Sequence, residues 1–250
     1  MSHVTIAPNI IHKENKFLEI LGEGGMGTVW LAYQLRVNRE VAIKVIKTQH
    51  ANSPDFIRRF EHEAQLVARL EHPNIVPLYD FWREPDGAFL VMRYLRGGSL
   101  QDQFEAGAQS PQRALNWLSQ ITSALALSHR QGIVHRDIKP ANILFDEQGN
   151  VYLADFGLAK QIGHDNEAET SGSFGYAAPA QLRGIETTEL ADIFSLGVVL
   201  YELLTGHRGF ASPDWLLRVL NDPLPDIRDT VSSLPETLNI VIQRATAKDP

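Results

Sequence analysis

One run near the middle of the chain, Ile133-Val-His-Arg-Asp-Ile-Lys-Pro-Ala-Asn142, brings three chemically useful side chains together within six residues. The carboxylate of Asp137 can accept a hydroxyl proton, and the cation of Lys139 can neutralise a phosphate. Asn142 offers an amide oxygen of the kind that Mg²⁺ takes as a ligand. A second carboxylate, Asp155, follows 13 residues after Asn142 in the run Asp155-Phe156-Gly157. Together these groups are the inventory of phosphoryl transfer.

A short hairpin must position these groups. The segments Ile143–Phe145 and Val151–Ala154 have strand character, and the turn Asp146–Asn150 separates them. Such a hairpin would fold Asp155 back beside Asn142.

A glycine-rich run, Gly22-Glu-Gly24-Gly-Met-Gly27-Thr-Val29, precedes these elements. A dinucleotide fingerprint would open a helix after its glycines, and a Walker loop would place Lys-Ser/Thr there. Here the residues after Gly27 have strand chemistry, so we expect the glycines to lie at a hairpin tip. Glycine backbones admit phosphate oxygens closely, although an ordinary glycine turn is the alternative.

Lys44 ends the apolar run Val41-Ala-Ile-Lys44 and is predicted to lie inside a strand. Buried lysines usually have a partner, and a lysine that reaches solvent at a strand edge is the alternative. Three acids lie on or just after the next predicted helix, and only Glu63 shares the stripe of Phe56, Phe60, Ala64 and Val67. Glu63 is the partner that we choose, against the alternative of a surface pair with Arg59. The rejected acids are rotated away from the stripe or lie just before Pro73: Glu61 and Glu71.

Composition bounds the class of protein. The 250 residues are 44% hydrophobic, with a net charge of −7 and no dense basic run, which argues against a nucleic-acid surface. There is no cysteine, so disulfides and thiolate sites are excluded. No signal-peptide pattern or membrane-spanning run occurs, so we expect a soluble cytoplasmic protein. The scattered histidines lack zinc-site spacing.

The pattern along the chain predicts two lobes in an α+β fold, divided near Gly97-Gly98. We expect a flexible arm over 1–15, a mostly antiparallel β lobe with one main helix over 16–95, and a larger, mainly helical lobe over 96–250. The expected strands of the first lobe are Phe17–Leu21, Thr28–Tyr33, Glu40–Ile46, Val76–Trp82 and Ala88–Tyr94. In the first lobe, one helix is expected, with Ser53 as its N-cap. In the second lobe, the expected helices are Pro111–Gln131, Glu189–Thr205, Pro213–Leu220 and Pro235–Ala247.

With these motifs in order, the chain resembles the catalytic domain of eukaryotic-like (Hanks-type) bacterial Ser/Thr protein kinases, from Leu21 to Pro250. The resemblance implies the two-lobed protein-kinase fold and an ion pair between Lys44 and Glu63 that positions the α- and β-phosphates. It implies Asp137 as catalytic base. It also implies that Lys139, typical of the Ser/Thr subclass, meets the transferring phosphoryl group.

The resemblance further implies ATP as the nucleotide, with Mg²⁺ held by Asn142 and Asp155 and Mn²⁺ as the alternative metal. Met92 would be the gatekeeper, and backbone from Arg93 to Leu95 would meet adenine. The implied nucleotide contacts are Leu21, Gly22, Glu23, Gly24, Gly25, Gly27, Val29, Ala42, Lys44, Met92, Arg93, Leu95 and Leu144.

Four further residues receive structural roles from the resemblance. His135, Phe156 and Val67 would stack in the spine that joins the lobes, so His135 is structural rather than a base. Asp192 would anchor the catalytic loop from a helix.

The chain departs from the family pattern at its Ala-Pro-Glu motif, which reads Ala178-Pro179-Ala180. The usual Arg partner would follow Lys248-Asp-Pro250, and the family's last helix would lie beyond it. Arg93 replaces the usual hinge Glu, and Ser173 stands where Thr is usual. Within Asp155–Pro179, Thr170 and Ser171 are expected phosphorylation sites, with Arg136 as the phosphate's partner.

Three functions compete. An active, autophosphorylating Ser/Thr kinase acting in signalling on protein substrates is the preferred hypothesis, because the catalytic set is complete. A pseudokinase or ATP-binding scaffold is the alternative suggested by Ala180. A nucleotide-dependent oxidoreductase is the third, and the strand expected after Gly27 argues against it. No nucleic acid and no membrane segment are expected, and further domains could follow Pro250.

Overall fold

The structure, a computed structural model, describes residues 6–24, 27–46, 54–84, 87–156, 174–210 and 214–249. For residues 54–57, 59 and 174 it describes the backbone alone. The described residues fall into two compact units. The N-terminal unit contains residues up to 71 and 76–94, and the C-terminal unit contains residues 72–75 and those from 95 onward, up to 156 and again from 174.

The N-terminal unit is built on a six-stranded antiparallel sheet in the order β1-β2-β3-β4-β6-β5. Buried residues follow one another almost without interruption along its central strands, which is the pattern of a sheet with two covered faces. The strands are β1 (Ile11–His12), β2 (Asn15–Gly24), β3 (Gly27–Gln34), β4 (Arg39–Ile46), β5 (Leu78–Glu84) and β6 (Gly87–Arg93).

Each face of this sheet has its own apolar cluster. Helix α1 (Pro54–Ala68) places Phe60 and Ala64, both fully buried, on Ile46 and Leu90 of one face. The opposite face carries a second cluster, formed by Phe17, Trp30, Ala32, Val41, Ile43, Phe89 and Val91. Burial of apolar area on both faces stabilises the sheet. The expected cap of α1, Ser53, and the side chain of Phe56 lie outside the described residues.

The prediction of a flexible arm over residues 1–15 is wrong for its last part. Ile11 and His12 form β1, which pairs with the start of β2, and the His12 ring lies 5.7 Å from that of Phe89. The imidazole also contacts Glu84 at 2.8 Å. A two-residue strand is too short to show periodicity, so its tertiary partners could not be inferred from the sequence.

The C-terminal unit is mainly helical, and its long helices match the predicted segments to within about two residues at each described end. Ser110 caps the second helix of this unit by accepting a hydrogen bond from the Arg113 N–H, and Gly206 ends the long central helix in the left-handed conformation at φ 71°. The helices are α2 (Leu100–Glu105), α3 (Pro111–Arg130), α4 (Pro179–Leu182), α5 (Leu190–Thr205), α6 (Trp215–Asn221), α7 (Ile227–Thr230) and α8 (Glu236–Ala245). Helices α2, α4 and α7 were not predicted, because four to six residues give too few turns for a periodic signal.

Helix α5 is the centre of this unit, since 14 of its 16 residues are buried. In the part of the chain that the structure covers, no helix is both long and apolar enough to cross a membrane. The predicted hairpin is present as β7 (Ile143–Phe145) and β8 (Val151–Leu153), paired antiparallel.

Residues 72–75 belong to the C-terminal unit although both flanking segments belong to the other. The Asn74 side chain donates to the Val151 carbonyl at 2.8 Å and to the Gln120 side chain at 3.0 Å. Its own carbonyl accepts from the Leu153 N–H at 2.8 Å. This short connection is therefore fixed to α3 and β8.

Candidate active site

The loop before Asp137 is held by one buried carboxylate. Asp192, fully buried at the start of α5, accepts hydrogen bonds from the backbone N–H groups of His135 and Arg136, each at 2.8 Å. The His129 imidazole contacts the same carboxylate at 2.8 Å. Arg136 lies in the left-handed region at φ 65°, where a non-glycine residue carries strain. These bonds therefore stabilise a backbone turn that the local sequence disfavours.

His135 is a structural residue in this geometry. Its Nε2 contacts the Ala154 carbonyl at 2.9 Å, and its Nδ1 accepts from the Asp137 N–H at 3.2 Å. Because a carbonyl can only accept, Nε2 carries the proton and the ring is neutral. Complete burial lowers the pKa of His135, which favours the same neutral form. Its ring centroid lies 4.6 Å from that of Phe156, as expected for two members of the spine.

Asp137 is held through both its backbone and its carboxylate. Its Oδ2 contacts the Lys139 ammonium at 3.0 Å and accepts from the Asn142 amide at 2.9 Å. The same Asn142 amide also donates to the Asp137 carbonyl at 2.7 Å. The three groups that the sequence placed within six residues are thus in direct contact.

The β7–β8 hairpin places Asp155 as the sequence predicted. The Ala154 N–H donates to the Asn142 carbonyl at 2.9 Å, so the residue before Asp155 is bonded to Asn142 itself. Asp155 has φ 61°, a left-handed conformation that turns the chain away from β8. Gly157 lies outside the described residues. The structure therefore brings one carboxylate and one amide, both oxygen donors, to the same end of a hairpin.

The glycine-rich run lies at the tip of the β2–β3 hairpin, where Gly24 pairs with Gly27. At Gly27, φ is 145°, and an added Cβ would lie 2.1 Å from the Val45 carbonyl oxygen, so packing alone demands glycine there. At Gly22 and Gly24 an added Cβ would meet nothing within 4 Å. Contacts among the described residues therefore leave these two glycines unexplained. Gly25 lies outside the described residues.

Lys44 is 9% exposed in the middle of the sheet. It pairs with Val29 on one side and Leu90 on the other, and cross-strand partners point to the same face. Leu90 belongs to the cluster covered by α1. Lys44 therefore lies on the face that carries α1, which is the helix of Glu63.

The acids of α1 differ in exposure as expected. Glu61 is exposed and contacts Arg83 at 3.5 Å, whereas Glu63 is half-buried. Glu71 is exposed in the loop after the helix. These positions keep Glu63 as the candidate partner of Lys44, and the pair itself stays a prediction.

The candidate adenine contacts are distributed over both units. Ala42 pairs with Met92, so both lie on the Lys44 face of the sheet. The Arg93 N–H donates to the Pro77 carbonyl at 3.1 Å and is therefore not available to a ligand. Of the remaining members, Leu21 and Glu23 are exposed on β2 and Leu144 is half-buried on β7. Leu95, just after β6, is buried. Whether these residues meet one nucleotide stays a prediction, as does the place of Val67 in the spine.

Two polar contacts of the C-terminal unit were not predicted. The buried carboxylate of Glu202 accepts from the Tyr176 hydroxyl at 2.6 Å, from Arg208 at 3.2 Å and from the Gly209 N–H at 3.1 Å. Burial raises the pKa of Glu202 even though all three groups donate to it, and Arg208 also bonds the Tyr176 hydroxyl. Tyr176 lies 26 positions from Glu202 and 32 positions from Arg208 in the sequence, so no periodic pattern connects them.

The second unpredicted contact joins α4 to the catalytic loop. The Gln181 amide donates to the Arg136 carbonyl at 2.9 Å across 45 positions of sequence. A glutamine after Ala178-Pro179-Ala180 gives no signal of such a role by itself. Thr170, Ser171 and Ser173 lie outside the described residues.

Comparison with known proteins decides the family. The sequence profile of the protein kinase domain matches residues 15–238. The chain belongs to the protein kinase family. The Ser/Thr-protein kinase PrkC of Bacillus subtilis is 42% identical to this kinase domain over 242 residues, which cover 94% of this chain and 37% of PrkC. The Ser/Thr-protein kinase PknB of Mycolicibacterium smegmatis is 39% identical over 246 residues, which cover 93% of this chain and 39% of PknB.

The fold of the kinase domain has solved counterparts as well. The crystal structure of a cysteine-to-alanine mutant of the Mycobacterium tuberculosis PknI kinase domain matches with a TM-score of 0.80 at 25% identity, covering 99% of this chain and 92% of that one. The α+β fold with a β-rich first unit and a helical second unit is confirmed by this likeness. This kinase domain spans less than two fifths of the length of the curated relatives named above.

Proposed function

We propose that this kinase domain is the catalytic part of an active, ATP-dependent Ser/Thr protein kinase. The observation that carries the proposal is the Asp137 carboxylate, held by Lys139 at 3.0 Å and Asn142 at 2.9 Å on a loop bonded to Asp192. Positioning of this kind provides most of the catalysis in phosphoryl transfer. The names of the relatives PrkC and PknB support the Ser/Thr class.

In the proposed reaction a substrate Ser or Thr hydroxyl oxygen forms a bond to the γ-phosphorus of ATP. The bond from that phosphorus to the β–γ bridging oxygen breaks, and ADP leaves. The hydroxyl proton passes to the carboxylate of Asp137. Lys139, which contacts Asp137 in the structure, neutralises charge on the transferring phosphoryl group.

The N-terminal unit would hold the nucleotide. Gly22 and Gly24 are glycines that packing does not require, which is what a backbone approached by phosphate oxygens needs. Lys44 would contact the α- and β-phosphates while Glu63 holds its ammonium. The adenine ring would lie between Ala42 and Leu144 beside Met92. Arg93 would offer its backbone carbonyl, since its N–H is bonded to Pro77, and Leu95 would offer backbone groups.

Asn142 and Asp155 fit a divalent metal, because both are oxygen donors at one end of the β7–β8 hairpin. Mg²⁺ typically takes only one or two protein carboxylates and completes its shell with phosphates and water. Among the described residues no group of three or more His, Asp or Glu side chains could hold a metal ion. Bound Mg²⁺ or Mn²⁺ would neutralise the phosphates.

The proposal includes protein substrates, a cytoplasmic location and a role in signalling. It also includes autophosphorylation at Thr170 or Ser171. Domains beyond Pro250 are a further part of it, since the curated relatives are longer than this chain.

The test is transfer from γ-labelled ATP to a generic Ser/Thr-containing protein and to the chain itself, followed by phosphoamino-acid analysis. The Asp137→Asn protein is the matched control, because it keeps size and ATP binding but loses the proton acceptor. We expect phosphoserine or phosphothreonine with wild type and a loss of about 1,000-fold or more in the variant. Binding of ATP without transfer by wild type would overturn the proposal in favour of a pseudokinase, and binding of NAD(H) would revive the oxidoreductase hypothesis.

Autophosphorylation is checked on the same samples by mass spectrometry. Phosphate at Thr170 or Ser171 is the expected result. Unmodified peptides over this segment from an active sample would contradict that part of the proposal.

A further inference from the structure

The peptide group between Arg136 and Asp137 determines where the Asp137 side chain points, and its N–H end has a known partner. That N–H donates to His135 Nδ1 at 3.2 Å. The bonds of Asp192 fix only the two preceding N–H groups. A partner is therefore still needed for the carbonyl end, because a peptide plane held at one end can rotate about the neighbouring φ and ψ bonds.

Gln181 holds the carbonyl end. Its Nε2 donates to the Arg136 carbonyl at 2.9 Å, and its Oε1 accepts from the Ala178 N–H at 3.0 Å. The second bond fixes the orientation of the amide, because the flipped amide would set oxygen against the Arg136 oxygen and nitrogen against the Ala178 nitrogen. The donor is thus aimed at the carbonyl by a second contact on its own helix.

The site needs this support because the backbone there is strained. Arg136 has φ 65°, and a residue with a Cβ keeps a left-handed conformation only where its surroundings hold it. We propose that Gln181 is a positioning residue for catalysis, which holds the Arg136–Asp137 peptide so that the Asp137 carboxylate faces the substrate hydroxyl. This inference rests on the proposed function, and it adds a residue to which neither the motifs nor the family resemblance gave a role.

The proposal also links two segments of the chain. Gln181 belongs to α4, which begins directly after Ala178 and near the end of the segment Asp155–Pro179. The conformation of the loop that carries the catalytic Asp137 therefore depends on the position of α4. Ala180 lacks the carboxylate that is usual in the family. The Gln181 amide therefore provides a polar contact between α4 and the rest of the unit.

The test is Gln181→Met, which keeps the length of the side chain and removes its donor. We expect kcat to fall about tenfold, in line with one lost hydrogen bond at a positioned group, while the KM for ATP and the affinity for ATP stay within about twofold. The matched control is Gln243→Met. Gln243 donates to the Leu224 carbonyl at 2.8 Å, a bond of the same kind in the same unit that does not involve the catalytic loop. This control should lose similar thermal stability with kcat unchanged.

The outcomes separate this inference from the proposed function. If wild type transfers phosphate and Asp137→Asn does not, the proposed function stands. In that case, a kcat per folded molecule of Gln181→Met equal to that of wild type overturns the role of Gln181. Equal losses of kcat in Gln181→Met and Gln243→Met would also overturn it, because both would then report stability alone. If Gln181→Met does not fold, Gln181→Glu replaces it, since its carboxylate still accepts from Ala178 but repels the Arg136 carbonyl. A kcat of Gln181→Glu equal to that of wild type overturns the inference.

Discussion

Lys44 and Asp137 are both partly or largely buried residues with ionisable side chains, yet the chain holds them by different means. Lys44 lies in β4 between Val29 and Leu90, and the sheet register places it on the face that carries α1. Asp137 lies on a loop with a left-handed residue before it, and polar contacts with nearby loop residues hold it. The backbone just before it is bonded by two distant residues, Asp192 and Gln181. One group is positioned by periodic structure and the other by particular polar contacts.

The comparison teaches where substitution should be tolerated. A sheet position depends on many apolar contacts, so the Lys44 site should keep its geometry when its charge is removed. A hydrogen-bonded loop depends on few contacts, so loss of one acceptor should disturb both stability and catalysis. The predictions below separate these two kinds of support.

After Asp137→Asn, the largest effect is expected from Lys44→Met and Glu63→Gln. Each should lower kcat about hundredfold by removing one side of an ion pair that positions the phosphates. Because residues that act as a unit do not add, the double variant should be close to either single variant. Glu61→Gln is the control, since Glu61 is exposed and contacts Arg83, and it should stay near wild type. Simple additivity of the two barriers would show that Glu63 is not the partner.

Asp192→Asn should lower the free energy of unfolding by about 3 kcal/mol and reduce kcat as well. Its carboxylate accepts from two backbone N–H groups and contacts His129, and an amide would turn a donor toward one of them. Asp226→Asn is the comparison, because this cap of α7 is only partly buried. Denaturant melts and transfer assays check both variants. Equal stability losses would mean that the loop is not held by Asp192.

Lys248 allows a pH test away from both sites. Its ammonium lies 4.5 Å from the ring centre of Phe210 and 5.2 Å from that of Phe194, and it has no hydrogen-bond partner among the described residues. Burial lowers the pKa of Lys248 to about 8 from the usual 10.5. Between these values the unfolded chain binds the proton more strongly, so stability should rise with pH in that window. Melting temperatures of wild type and Lys248→Met should therefore converge between about pH 7.5 and about pH 10. A constant difference would contradict the shifted pKa.

The smallest effect is expected from Ala180→Glu. The family resemblance places the partner Arg of this carboxylate after Lys248-Asp-Pro250, so in a protein produced as residues 1–250 the new charge would lack that Arg. Ala180 is only half-buried, and solvent should limit the loss of stability to about 1 kcal/mol. Ala180→Gln is the control, because glutamine has nearly the size of glutamate without its charge and therefore separates the effect of charge on stability from that of size. A higher melting temperature for Ala180→Glu than for Ala180→Gln would contradict the prediction.

The sequence predicted most of the sheet and the candidate site because their signals are local. Lys44 was found because it interrupts the apolar run of β4, and Asp137, Lys139 and Asn142 lie within six residues. The β7–β8 hairpin was predicted from its turn residues, and it brings Asp155 to Asn142 as expected.

The sequence could not predict contacts that depend on tertiary structure alone. The bond from Gln181 to Arg136 spans 45 positions, and that from Tyr176 to Glu202 spans 26. Strand β1 and the short helices were missed because they contain fewer than two periods of any pattern. Polar residues of these kinds occur all along the chain, and only the fold determines which of them meet.

Residues 72–75 have a consequence for dividing this chain into fragments. A fragment that begins at Leu95 would lose Asn74. With it would go one donor to Gln120, the side-chain donor to the Val151 carbonyl and the acceptor for the Leu153 N–H. Such a fragment should have loosened tertiary packing and should not unfold cooperatively. A short peptide that carries Asn74 should bind the fragment and restore cooperative unfolding. The four-residue connection is thus the piece that would have to be supplied for the helical half to be studied alone.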